Sequence, residues 1–357
     1  MLNPYQNSPD KAFWKRAVAK NWNVNELISC SPLIRKGEKF GSAGSCFAGN
    51  IIPYLESAGF NYVRKTVVPE GLSDIYQENF NYHTFSAGYG NIYTARHLLQ
   101  LIQRALGLFR PCEDRWYIGD KVVDPFRPGL RFSSFNDLEF DRINAQYLET
   151  VVAAFREMDV FVFTLGLTEA WISSIDGAVF PACPGTIAGE FDRDKHLFKN
   201  FSASEVTDDL TSAFKLLRNI NPNLKIILTV SPVPLVATAT ANHVVSATVY
   251  SKSVLRVAAQ EVVNILPFAF YFPSYEIVTG PQAPESYFEG NRRDVSKEAI
   301  DAVMASLIAN CEQDGLQPAV SIYKEPIMNK NSESSKSSSA RLVELECEEA
   351  ASDPDAQ

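Results

Sequence analysis

Short apolar runs alternate with amphipathic segments through the middle of this 357-residue chain. Residues 159–165 (DVFVFTL) and 225–230 (KIILTV) are apolar at successive positions, which is typical of strands buried on both faces of a parallel sheet. Amphipathic helical patterns follow both runs. One begins with a capping-box pattern at Ser202 and Glu205, and the other extends from Ser246 to Ile265. The alternation predicts an α/β fold in which helices cover both faces of a doubly wound parallel sheet.

Further segments extend this pattern toward both ends of the chain. Residues 40–44 and 268–272 are predicted strands, and residues 47–58 and 296–311 are predicted helices. Two segments, residues 115–132 and 171–191, carry turn signals and paired aromatic residues, which predicts hairpins or loops inserted beside the sheet. In a doubly wound sheet the functional crevice lies at the carboxyl ends of the strands, so the chemistry is expected there.

The chain is predicted to hold one domain with an extension at each end. Residues 1–36 form a polar N-terminal extension, and residues 37–323 contain the alternating pattern. Residues 324–357 combine a Ser/Lys/Asn tract with an acidic end. Such a composition buries too little apolar surface to offset its ordering entropy, so this tail is predicted to be disordered.

Charge and cysteine content narrow the function classes. The 33 Lys and Arg residues against 42 Asp and Glu residues give a net charge of −9, which disfavours a nucleic-acid partner. The six cysteines show neither a CxxC pair nor a metal-ligand spacing, so we expect a reducing compartment, no metal and no cofactor. The N-terminus has no apolar signal core, and prolines interrupt the uncharged run of residues 226–245. A cytoplasmic protein without a membrane span is therefore expected.

The most informative motif is GSAGSCFAGN, residues 41–50, at the first strand-to-helix junction. It lacks both the GK[ST] of a phosphate-binding loop and the GxGxxG of a dinucleotide site. What remains is a small-residue turn that places Ser45 and Cys46 at a helix N-terminus, where a nucleophile or an oxyanion is stabilised. Two alternatives stay open: Ser45 merely caps the helix, or Cys46 is either a reactive thiol or a small packed residue.

Residues 44–48 spell GSCFA, and the chain resembles the GSCFA family well beyond this pentapeptide. The resemblance covers about residues 38–310 and implies kinship with the SGNH (GDSL-type) esterases and acyltransferases, which have a flavodoxin-like fold. The similar segments, in chain order, are GNIYTA (residues 90–95), DPFRP (124–128), FTLGLTEAW (163–171), SPVPL (231–235), SKSVLR (251–256) and YFPSYE (271–276).

The resemblance implies roles for individual residues. Ser45 matches the nucleophilic serine of the superfamily. Gly90 or Asn91, together with Gly166 and the backbone amide of Ser45 or Cys46, would form the oxyanion hole. Thr168 stands where the superfamily has an asparagine, and a hydroxyl can still donate one hydrogen bond. The Asp-x-x-His motif retains its aspartate as Asp294, but no histidine follows it.

The general base is therefore the open question among four histidines. His243 follows the strand of residues 225–230 at the carboxyl end of the predicted sheet, which makes it the preferred base, with Asp294 or Glu169 orienting its ring. His83, shortly before the GNIYTA segment, is the second candidate. We expect His97 to be packed or on the surface and His196 to lie in a charged loop.

Other conspicuous side chains have structural or binding interpretations. Trp171 is expected to wall the pocket, and Glu276 to serve as a pocket acid. Asp124 and Arg127 are expected to clamp a loop through an ion pair. Lys252 and Arg256 lie one helical turn apart, a spacing that can hold an anionic group but is more often a solvated face.

Together these features predict a serine esterase or O-acyltransferase. Its substrate would be a small-molecule or glycan ester, with an acetyl group on a carbohydrate preferred, and the reaction would pass through a Ser45 acyl-enzyme. The alternative is a catalytically degenerate SGNH-like module that binds a glycan or a protein. A third interpretation makes Cys46 the nucleophile of a thiol enzyme. The sequence leaves the oligomeric state open.

Overall fold

The computed structural model describes residues 3–66, 85–130 and 133–312. The strands in chain order are β1 (Lys39–Gly44), β2 (Asn61–Tyr62), β3 (Trp116–Ile118), β4 (Lys121–Val123), β5 (Val160–Leu165), β6 (Glu169–Ser173), β7 (Val179–Phe180), β8 (His196–Asn200), β9 (Lys225–Val230) and β10 (Ala269–Tyr271). The α-helices are α1 (Trp14–Ala17), α2 (Cys46–Gly49), α3 (Ile51–Ser57), α4 (Ala95–Ala105), α5 (Asp137–Glu157), α6 (Ala203–Ile220), α7 (Val244–Ile265), α8 (Ser274–Thr279) and α9 (Lys297–Ala309).

Five parallel strands form the central sheet in the order β2-β1-β5-β9-β10. Counted along the chain within this sheet, the order is 2-1-3-4-5, which is compatible with a flavodoxin-like fold. The predicted α/β class with a parallel sheet is confirmed. The order reverses between β1 and β5, which pair from Phe40 and Val160 to Gly44 and Thr164. This switch point is where such sheets hold their functional crevice.

The central strands bury both faces, as their continuous apolar runs predict. In β5, Phe161 and Phe163 face a core formed with α4, α5, α6 and α7, whereas Val160 and Val162 face a second core formed with α3 and α9. Alternate side chains point to opposite faces of a strand, so a strand covered on both faces must be apolar throughout. The predicted capping box is also present, because Ser202 Oγ accepts from Glu205 N–H and the Glu205 carboxylate accepts from Ser202 N–H.

Two antiparallel insertions lie where the turn signals predict them. Strands β3 and β4 form a hairpin, and β7-β6-β8 form a three-stranded sheet. The third strand, β8, lies beyond the predicted segment of residues 171–191 and was not predicted. Trp116, Phe126 and Phe180 pack together and join the two insertions through a shared apolar cluster.

The N-terminal extension ends in core residues. Leu33 and Ile34 are buried, and Leu33 N–H donates to Asn310 O at 2.7 Å. The last part of the predicted domain, residues 313–323, and the predicted disordered tail, residues 324–357, lie outside the described residues. Within the described ranges, no helix is long and apolar enough to cross a membrane.

Candidate active site

The turn between β1 and α2 requires glycine at position 44. Gly44 has φ +148°, a backbone conformation that residues with side chains rarely adopt. A Cβ atom there would lie 2.6 Å from Thr164 O and 2.8 Å from Thr164 Cβ of the neighbouring strand. The chain therefore turns tightly against β5, and Ser45 follows in extended backbone with φ −78° and ψ −177° before the helix begins at Cys46.

Ser45 is buried, with 5% of its surface exposed, and it does not cap the helix with its side chain. Its Oγ has no hydrogen-bond partner within the described residues. The capping alternative for this serine is thus wrong. Leaving a buried hydroxyl unpaired costs about 1–3 kcal/mol, and such groups are uncommon in folded proteins. A function for the hydroxyl would explain why the fold carries that cost.

Backbone hydrogen bonds join this turn to two other segments, those around Gly90 and Gly166. Ile92 N–H donates to Gly44 O at 2.8 Å, so the preceding Gly90 and Asn91 lie beside the turn. On the other side, the N–H groups of Gly166 and Leu167 both donate to Tyr93 O at 3.1 Å. The three segments therefore meet at the carboxyl end of β1 and β5. The Gly166 N–H, expected as an oxyanion donor, is therefore already bonded to Tyr93 O.

A small cavity of about 10 Å³ lies over Ser45, about the room that one water molecule needs. A larger cavity of about 330 Å³ adjoins it, and Leu167 and Leu235 line both. The remaining residues that line the small cavity are Cys46, Tyr93, Gly166, Ser231, Val233, Pro234 and Lys252.

Lys252 is the charged residue of this small cavity. It is 2% exposed, and its Nζ donates to Gly166 O at 2.6 Å. The expectation of a solvated face is therefore wrong for Lys252, because α7 turns this side chain toward the strand ends. The preceding Ser251 is also buried, and its Oγ accepts from Thr168 N–H at 3.1 Å. The side chain of Arg256, one helical turn further along α7, is about one-third exposed, which is closer to the solvated face expected for it.

The other residues predicted for the oxyanion hole or the pocket are Thr168, Glu169 and Trp171. Thr168 is fully buried, and its Oγ1 donates to Asn200 Oδ1 at 2.7 Å. Trp171 of β6 lines the larger cavity, as expected for a pocket wall, and Glu169, which was expected to orient His243, lines it too. The Glu169 carboxylate accepts from Thr238 Oγ1 at 2.7 Å and from Ala239 N–H at 3.3 Å. This carboxylate thus fixes the loop that follows β9.

Two predicted acids lie in local networks of their own. Glu276 accepts from Arg256 Nε at 2.7 Å and from the Tyr271 hydroxyl at 2.8 Å. Burial and the neighbouring Glu276 carboxylate raise the pKa of Tyr271, so this hydroxyl stays protonated and donates. Asp294 accepts from Asn291 Nδ2 at 2.7 Å and from Arg293 Nη1 at 3.1 Å. Neither carboxylate lines the cavity over Ser45.

Three of the four histidines lie within the described residues, and His83 lies outside them. His243 is exposed, and its Nδ1 accepts from Val245 N–H at 3.2 Å as it caps α7. His196 is buried with its Nε2 3.0 Å from Glu113 Oε2. His97 is buried in α4, as one of the two expected alternatives. None of these three lines the small cavity.

The buried His97 should make the folded protein less stable in acid. Burial, aided by the Arg104 charge, lowers the pKa of His97 from 6.5 to about 4. As the pH falls, the unfolded state therefore takes up this proton before the folded state does. The stability that neutral His97 contributes is complete above pH 6.5 and is lost as the pH falls toward 4. Between pH 7.5 and pH 5 the free energy of unfolding should fall by about 2 kcal/mol through this residue. Urea unfolding of wild type and His97→Gln at both pH values measures it, since the variant should show a correspondingly smaller fall.

The predicted ion-pair clamp is confirmed. Arg127 Nε donates to Asp124 Oδ2 at 2.7 Å with both side chains buried, and Arg127 Nη1 donates to Gly88 O at 3.2 Å. The guanidinium also lies over the Tyr147 ring, 3.5 Å from its centroid. Burial acts to raise the pKa of Asp124, but the charges of Arg127 and Arg104 outweigh it and hold that pKa below its usual value. The clamp secures the backbone just before Gly90.

The fold and this site define a class: an α/β protein with a parallel five-stranded sheet and, at the first strand-to-helix turn, a buried serine whose hydroxyl has no partner among the described residues. The chain belongs to the GSCFA family, whose family model matches residues 39–307. None of the curated proteins compared with the chain matches it. In the described part of the chain, no group of three or more His, Cys, Asp or Glu residues could hold a metal ion.

Proposed function

We propose that this protein is a serine esterase or O-acyltransferase with Ser45 as its nucleophile and an SGNH-like arrangement of its site. The observation that carries the proposal is the buried Ser45 Oγ, which lacks a partner among the described residues and lies at the switch point of the sheet. A hydroxyl that neither caps its helix nor bonds a neighbour is available to a substrate. Nucleophilic serines of α/β enzymes also occur at sharp strand-to-helix turns.

The chemistry would follow the usual course of covalent ester catalysis. Ser45 Oγ attacks the ester carbonyl carbon as its proton passes to a base, and the carbonyl oxygen becomes an oxyanion. Collapse of the tetrahedral intermediate breaks the bond to the alcohol oxygen, which takes up the proton and leaves. Water then releases the acyl group in a hydrolase, and a second alcohol does so in a transferase.

Backbone groups around Ser45 supply candidates for oxyanion stabilisation. The first amides of a helix have no carbonyl in the preceding turn to bond, and α2 begins directly after Ser45. Gly90, with φ +65°, and Asn91 precede the Ile92 amide that bonds Gly44 O. Both segments adjoin the turn that carries Ser45, which supports assigning the oxyanion to their backbone amides.

The larger cavity offers space for the remainder of the substrate. Its volume of about 330 Å³ lies at the small end of the range for ligand sites. The rings of Trp171, Phe180 and Phe198 line it, with the Glu169 carboxylate among them. Aromatic faces beside a polar anchor suit the mixed apolar and hydroxylated surface of a sugar, which supports a carbohydrate ester as substrate. Leu167 and Leu235 separate this space from Ser45, so they must move apart for the ester to reach the hydroxyl.

The proposal is tested by activity together with covalent mapping. Purified full-length protein is assayed with p-nitrophenyl acetate and labelled with a fluorophosphonate, and the modified peptide is located by mass spectrometry. We expect hydrolysis and a single phosphonylated residue, Ser45. A folded protein that neither turns over the ester nor takes the label contradicts the proposal. Label on Cys46 with iodoacetamide-sensitive turnover would assign the chemistry to the thiol.

A second candidate is a binding module without turnover. It is favoured by the positions of His97, His196 and His243, none of which lines the cavity over Ser45. In that case glycan or protein binding would survive Ser45→Ala, and wild type would be inert toward the fluorophosphonate.

A further inference from the structure

The proposed acyl transfer needs a proton acceptor within reach of Ser45. Imidazole usually fills this role. Here His243 is exposed and uses Nδ1 to cap α7, while His196 is held by Glu113 and the amide of Asp192. Among the residues that line the cavity with Ser45, the titratable side chains are Cys46 from α2, Tyr93 and Lys252.

We propose that Lys252 Nζ is the general base of this site, an inference that rests on the proposed function. Lys252 lines the same small cavity as Ser45, is almost completely buried, and reaches the cavity from α7. A lysine on a solvated helix face would be a poor base because water keeps it protonated. Lysines held out of water give up their proton more readily, which is how lysine serves as a base in enzymes.

The surroundings of Lys252 fit this role. Its Nζ donates to Gly166 O at 2.6 Å, which fixes the end of the side chain on the segment that follows β5. A neutral amine can donate this bond and still present a lone pair to an incoming proton. The Arg256–Glu276 ion pair lies one turn further along α7 and does not line this cavity.

Ser45 Oγ and Lys252 Nζ are expected to come into hydrogen-bond contact when substrate binds. Ser45 Oγ makes no hydrogen bond to Lys252 in the described structure. Catalytic hydrogen bonds are often long or misaligned before substrate binds and tighten in the complex. The flexible side chain of lysine can make this adjustment while the backbone of α7 stays in place.

The proton balance is complete with these two residues and the substrate. The Ser45 Oγ–H bond breaks as Oγ bonds the carbonyl carbon, and the neutral Lys252 amine becomes an ammonium. When the tetrahedral intermediate collapses, the ammonium returns that proton to the departing alcohol oxygen. The neutral amine then takes a proton from the water or alcohol that attacks the acyl-enzyme, and gives it back to Ser45 Oγ on release.

The test compares Lys252→Arg and Lys252→Met with wild type over a range of pH. The rate of fluorophosphonate labelling at Ser45 and kcat/KM for p-nitrophenyl acetate are measured with full-length protein. Wild type should gain rate with rising pH through one ionisation, and both variants should lose about 10²- to 10⁴-fold together with that ionisation. Arginine keeps the charge and the donor toward Gly166 O but gives up no proton, so it separates a base from a structural cation. Lys225→Met is the matched control, because Lys225 is a half-buried lysine paired with Glu38 at the start of β9.

The possible outcomes are distinct. If wild type takes no label at Ser45, the proposed function fails. If wild type is labelled and both Lys252 variants keep its rate and pH profile, only Lys252 as base is overturned. Full activity in Lys252→Arg with loss in Lys252→Met would also overturn it and show a structural cation. Loss of the ionisation in His83→Gln or His243→Gln, with Lys252→Arg unaffected, would assign the base to that histidine. Thermal melts verify folding, and Lys252→Gln replaces any variant that fails to fold.

Discussion

Ser45→Ala should abolish ester turnover while leaving the fold as stable as wild type or more stable. Loss of the nucleophile should lower kcat/KM by about 10³-fold or more. The free energy of unfolding should stay constant or rise by about 1 kcal/mol, because the variant removes a buried hydroxyl that no described residue satisfies. Kinetics with p-nitrophenyl acetate and urea unfolding measure the two effects on the same preparation.

A matched control is Ser274→Ala. Ser274 is buried like Ser45, but its Oγ donates to Val230 O at 2.9 Å and also contacts Thr229 Oγ1. Its removal leaves buried partners unsatisfied and should cost about 1–3 kcal/mol of stability. If Ser45→Ala destabilised the protein as much as Ser274→Ala, Ser45 would hold a structural hydrogen bond, and the functional interpretation of its unpaired hydroxyl would fail.

The sequence predicts the strands and helices well because local patterning determines them. Residues 159–165 and 225–230 are apolar on both faces, and only a fully covered strand accommodates that pattern. The capping box at Ser202 and Glu205 likewise begins α6 through bonds between neighbouring residues. The sequence does not predict strand β8, since its segment HLFKN pairs with β6 across 22 intervening residues (174–195) and has little apolar alternation of its own.

The site is less accessible to sequence reasoning because it depends on contacts distant in the chain. A lysine at position 252 of a helix would be expected on the surface from the sequence alone. Its burial depends on the contact with Gly166, 86 residues earlier in the chain. His243 is correctly expected after β9, but local capping of α7 determines its orientation. The neighbouring residues alone are compatible with Ser45 as a helix cap, but its side chain makes no capping hydrogen bond to α2.

The ion-pair clamp of Asp124 and Arg127 holds the segment before Gly90, and breaking it should strongly lower stability. Arg127→Met should lower the free energy of unfolding by about 3–5 kcal/mol, because it leaves the Asp124 carboxylate buried without its direct ion-pair partner. It also removes the donor to Gly88 O, so Gly90 and Asn91 lose their support. Fluorophosphonate labelling at Ser45 should therefore slow even under conditions where the variant remains folded.

A double-mutant cycle separates the charge from the packing. Asp124→Asn in the Arg127→Met background removes the buried charge, so the double variant should regain part of the stability lost by Arg127→Met alone. Arg256→Met is the matched control, since its pair with Glu276 is about one-third exposed and should contribute at most about 1 kcal/mol. Equal losses in Arg127→Met and Arg256→Met, measured by urea unfolding, would contradict a clamp. If Arg127→Met proves strongly destabilised but labels at the wild-type rate, the clamp stabilises the fold without positioning the site.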